Sequence, residues 1–170
     1  MKFKRRHIKI KETYRDKLPE DYWKVCRGII ERPVQTIDTP AYADLVKRTV
    51  NIFPSHKLWK KLEEEDKANI VRHELEHLTS VPGNIKRGKQ IFTNILNEVK
   101  DVSLAKMVDD YLENSIINKK LSSKYPSYLE TLRKDALHFA SDPDFQTQHV
   151  IGKLMYASAS YDPVEVGKLM

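Results

Sequence analysis

The sequence predicts an α+β protein, with a small amino-terminal β-sheet followed by a mainly helical body. Three observations lead there. Short β-rich runs broken by Pro33, Thr39-Pro40 and Pro54 fill the first third of the chain. From residue 55 onward, apolar residues recur at three- and four-residue steps, as in helices that bury one face. At 170 residues the chain is long enough to close around a hydrophobic core. No internal repeat, low-complexity tract or Gly/Ser linker divides it, so one domain over 1–170 is expected. Its parts are a strand-rich region with a cleft rim (1–54), a pair of site-bearing helices (55–102) and a helical carboxy-terminal region (103–170).

The elements follow in order. Ile8-Lys9-Ile10-Lys11 alternates, so His7–Lys11 reads as a charged edge strand. Asp21–Glu31 reads as a short helix, and Val34–Ile37 and Arg48–Phe53 as further strands. Ser55 is a candidate N-cap for a helix through Leu58 and Trp59 that joins the next one. That next helix opens on Glu63, Glu64, Glu65 and Asp66, where the helix dipole favours acids. Ala68, Val71, Leu75 and Leu78 form its buried stripe, and Val81-Pro82-Gly83-Asn84 stops it. A helix over Gln90–Val102 buries Ile91, Ile95, Val99 and Val102, with Asn94, Glu98 and Asp101 as a polar stripe beside them. Helical spacing then marks Leu104–Ile116, Tyr128–Leu137 and Phe145–Ser158, the last two separated by Asp142-Pro143-Asp144.

One stretch carries chemistry. His73-Glu74-Leu75-Glu76-His77 spells H-E-x-x-H within a helix, so the two imidazoles lie one turn apart and can share a metal ion. Glu74, next to the first histidine, is placed to take a proton from water at that ion. Both histidines flank the apolar stripe beside Ile70, which suits a cleft wall. Carboxylates bordering a core are costly unless paired or metal-bound, so Glu98 and Asp101 are candidate partners. His56 and His138 have no partner pattern and read as structural.

His73-Glu74-x-x-His77, a loop, then Asn97-Glu98-x-x-Asp101 resembles the zincin metallopeptidases, most closely the gluzincin branch. The resemblance spans roughly Thr49 to Val102. It implies zinc-dependent hydrolysis of peptide bonds, with one Zn2+ held by His73, His77 and Glu98 and with Glu74 as general base. Asp101 would hold a ligand histidine from behind, although the family's spacing from the glutamate is one residue longer. A rival alignment, on a metallopeptidase helix of pattern Asn-x-x-Glu-Asp, puts Asp101 itself on the metal. Glu76 departs from the family, where that position is uncharged. By the same resemblance, Thr49–Phe53 would be the cleft-rim strand that takes an extended peptide by β-addition, and is otherwise an ordinary edge strand. An oxyanion donor would have to come from His149, Tyr156 or Tyr161, and His149 is the catalytic candidate among them.

Charge and cysteine bound the setting. Lys2, Lys4, Arg5, Arg6, Lys9 and Lys11 precede the first acid and equal the whole formal excess of +6. Such a basic arm could meet nucleic acid, which makes a nucleic-acid-binding module one alternative to the peptidase. A zincin-like metal-binding scaffold without peptidase activity is the other. Cys26 is alone, which excludes a disulfide framework or a cysteine-based zinc site and points to a reducing, cytoplasmic location. No apolar run is long enough to span a bilayer and no signal peptide is visible, so no membrane role is expected.

Overall fold

The structure, a computed structural model, describes Tyr14 and residues 18–32, 39–80 and 85–140, the side chains of 80, 85–87 and 135–140 excepted. The predicted strands His7–Lys11 and Val34–Ile37, the predicted helix Phe145–Ser158 and the basic arm from Lys2 to Lys11 lie outside these residues. The described part is α+β, with a three-stranded sheet and a mostly helical remainder. The chain divides into two compact units, Met1–Pro82 and Gly83–Met170. None of its described helices is long and apolar enough to cross a membrane.

In the first unit, α1 (Glu20–Val25) leads into β1 (Gly28–Glu31), β2 (Ala41–Asp44) and β3 (Thr49–Ile52), then α2 (Lys57–Lys61) and α3 (Glu64–Ser80). The expected helix over Asp21–Glu31 is therefore half right. It stops at Val25, and Gly28-Ile29-Ile30 turns to strand, where β-branched side chains pack on a pleated surface. The strand order is β1-β3-β2, with β1 parallel and β2 antiparallel to β3. Thr49–Phe53 thus contains the central strand, neither a cleft rim nor an edge. Its backbone is paired on both sides: Ile29 and Ala43 both lie opposite Val50. A substrate strand cannot add there.

The apolar stripe of α3 lies on one face of this sheet. Val71, Leu75 and Leu78 are fully buried with Val50, Ile52, Ile29 and Ala41, and Tyr14, Leu18, Tyr22, Cys26 and Trp59 complete the cluster. Two caps set the helices. His56, rather than Ser55, caps α2, its Nδ1 accepting the Leu58 N–H at 3.2 Å. At the start of α3 the Asp66 carboxylate reaches back to the Glu63 N–H at 3.3 Å, satisfying a donor that the helix cannot. Leu62 and Glu63 break α2 from α3, so the two do not join as the sequence suggests.

The second unit holds α4 (Ile85–Val99), α5 (Val102–Lys124) and α6 (Pro126–Ala140). The expected helix through Val102 ends early. Lys100 takes a left-handed φ of 57°, its N–H closing on the Leu96 carbonyl at 2.8 Å. Asp101 then caps α5 by accepting the Leu104 N–H at 2.8 Å. Further on, Tyr125 ends α5 and Pro126 opens α6, a position where a missing N–H costs nothing. Ile117, Leu121 and Tyr128 form a small core there, and the Tyr128 hydroxyl donates to Asn118 Oδ1 at 2.6 Å.

Candidate functional site

The geometry of α3 follows from its four columns of side chains, each residue turning about 100° from the last. Ala68, Val71, Leu75 and Leu78 fill the column against the sheet and are wholly buried. Glu65, Asn69, Arg72 and Glu76 form a polar column beside it, of which Asn69, Arg72 and Glu76 are also buried. His73 and His77 lie in the next column round, both half-buried, with Glu74 partly exposed about 100° beyond His73.

The two histidines meet. Their Nε2 atoms are 3.2 Å apart, with ring centroids 4.9 Å apart and ring planes at 72°. Two neutral imidazoles cannot face lone pair to lone pair at that distance without repulsion, so something positive must lie between the nitrogens. A proton on one ring, donated to the other, is the first candidate. A shared metal ion is the second. Tetrahedral zinc bonded at about 2.0–2.1 Å to each nitrogen would hold them about 3.3–3.4 Å apart. The observed separation fits that donor set.

The polar column is held by specific bonds. Arg72 Nη1 donates to Glu65 Oε1 at 2.7 Å and to Asn69 Oδ1. The Tyr22 hydroxyl, buried on α1, donates to Glu76 Oε1 at 2.6 Å, and the Thr79 hydroxyl lies 2.9 Å from Glu76 Oε2. Sequence reasoning missed Tyr22 and Thr79 and noted Glu76 only as a departure. The available signal was the run of polar residues at 65, 69, 72 and 76, a regular column directly beside the apolar one.

The remaining predicted residues are placed as follows. Glu98 lies near the end of α4, in the second unit, with an exposed side chain. Asp101 is also exposed and belongs to the next helix as its cap, so Asn94, Glu98 and Asp101 are not one helical stripe. Neither carboxylate borders a core, and the desolvation expected from the sequence does not arise there. Among the described residues, no three His, Cys, Asp or Glu side chains converge closely enough to hold an ion. Of the predicted site residues, the structure brings together His73 and His77. His56 is a helix cap, in keeping with a structural role. His149, Tyr156, Tyr161 and the His138 side chain lie outside the described residues. Burial, opposed by bonds from the Gly28 and Val50 backbone, pushes the Cys26 thiol above its ordinary range, as suits an inert buried thiol. No family model, curated protein or solved structure matches this chain.

Proposed function

We propose that this chain is a zincin-like metallopeptidase whose metal is held by His73 and His77 and whose general base is Glu74. The observation behind the proposal is the 3.2 Å approach of the two Nε2 atoms, close to the bite of about 3.3–3.4 Å that a tetrahedral ion would need. A zinc ion held there would supply Lewis acidity, polarising a substrate carbonyl and bringing the acidity of water near neutral pH. Glu74 follows His73 directly on the helix and is partly exposed, which leaves its side chain within reach of solvent. It takes a proton from the attacking water and delivers it to the leaving amine as the peptide bond opens.

The resemblance assigns the third ligand to Glu98, with Asp101 as rival. Peptide capture by β-addition moves from β3 to β2. Among the described residues β2 has one unpaired edge, runs antiparallel to β3 and packs against α3.

Glu74→Gln tests the mechanism. With zinc present, wild-type protein should cleave an unstructured peptide library and lose that activity to a chelator. The variant should keep its zinc and lose cleavage by about 100-fold or more. Cleavage at the wild-type rate by Glu74→Gln would remove this residue from the chemistry. A wild-type protein that takes up zinc and cleaves nothing would be a metal-binding scaffold instead.

A further inference from the structure

Glu76 is the feature of the site helix that the proposed chemistry leaves unused. It is 2 % exposed, and burying a carboxyl group is costly unless its oxygens are satisfied. Here Tyr22 and Thr79 engage one oxygen each. Tyr22 is itself 4 % exposed and lies 54 residues away in sequence, so this bond ties α1 to α3 across the core. Glu76 adjoins His77 and stands three residues from His73, the spacing at which side chains on one helix are neighbours.

We infer that Glu76 is a positioning residue of the histidine pair, latched by Tyr22 and Thr79 so that α3 presents both Nε2 atoms toward one cation. The inference rests on the metal reading of the pair given above. Two effects combine in it. The latch fixes the rotation of the turn that carries the histidines, and a rigid donor pair loses less freedom when a ligand binds. The carboxyl group is also a buried acid one residue from His77 and three from His73 in sequence, in a poorly solvated interior where such groups act strongly. Glu76 touches neither substrate nor ion. Its influence passes through the histidines.

The test is the affinity of the full chain for Zn2+ and Co2+, measured by competition with a chromophoric chelator, for wild type, Glu76→Gln, Tyr22→Phe and Val71→Ala. Glu76→Gln keeps the shape and loses the acid, and its affinity should fall about 10-fold. Tyr22→Phe removes one strand of the latch and should weaken binding by a smaller factor. Both variants should also shift the visible bands of the bound Co2+, which report donor geometry. Val71→Ala loosens the opposite, apolar side of α3, and should lower the thermal midpoint without changing affinity or bands. Wild-type affinity and bands in Glu76→Gln would overturn the inference. So would a loss in Val71→Ala equal to that in Glu76→Gln, which would reduce the effect to general loosening. If Glu76→Gln does not fold, unchanged affinity and bands in Tyr22→Phe overturn it equally. A wild-type protein that binds neither ion removes the metal reading itself, which is a different failure from a bound ion indifferent to Glu76.

Discussion

Leu75→Ala is expected to unseat the helix that carries the histidines, and its cost can be worked from the structure. Leu75 is fully buried among Val50, Ile52, Trp59, Val71 and Leu78. It lies two residues from His73, about 200° round the helix, so its burial is what turns His73 away from the core. Truncation removes three buried carbons at about 0.8 kcal/mol each, or about 2.5 kcal/mol. A cavity that only partly collapses adds about 1 kcal/mol more, for roughly 3.5 kcal/mol in all. Urea unfolding followed by tryptophan fluorescence is the assay. Both tryptophans, Trp23 and Trp59, belong to this core, so the signal reports the first unit alone. The midpoint should fall with the slope unchanged. A loss under about 1 kcal/mol would mean that Leu75 does not fill the core, and the orientation of the histidine flank derived from it would be wrong.

Two further predictions concern other parts of the chain. Asp101→Ala should cost about 1 kcal/mol by stripping the cap from α5, with Asp101→Asn recovering most of it. Thermal unfolding measures this, and an unchanged midpoint in the alanine variant would deny the cap. Tyr14 gives a pH dependence. Burial, with Glu64 and Glu31 adding repulsion, pushes its hydroxyl up from 10.0 to about 12. Because folding raises this value, the stability it contributes is whole below pH 10 and is lost as pH rises through 12. Phenolate absorbance should therefore show a late-titrating component that Tyr14→Phe lacks, and identical curves for the two proteins would contradict this.

Much of the fold could be read from periodicity, and the failures have physical causes. The stripe Ala68, Val71, Leu75 and Leu78 announced α3 because each residue is buried against one sheet face, where the 3.6-residue period has to hold. Ala41-Tyr42-Ala43-Asp44 was not legible as β2, since Ala and Asp are poor strand formers and only pairing with β3 makes the segment extended. The strand order was equally hidden. β3 became central because β1 pairs with it in parallel across a long connection, which no local pattern records. Lys100 concealed the end of α4, since a lysine rather than a glycine takes the left-handed position there. At the site, the meeting of His73 and His77 followed from their spacing alone, because one helical turn brings i and i+4 together. The Tyr22 bond to Glu76 could not be seen, since it joins residues 54 apart whose contact depends on how α1 packs on α3.

The claim that His73 and His77 share one cation is tested most directly by nitrogen-15 NMR of the histidine side chains during a zinc titration. Both Nε2 resonances should move together to the metal-bound range and saturate at one ion per chain, and His73→Ala should abolish the shift of His77 as well. Contradiction would come from two imidazoles that keep their metal-free shifts at excess zinc, still dividing a single proton between them.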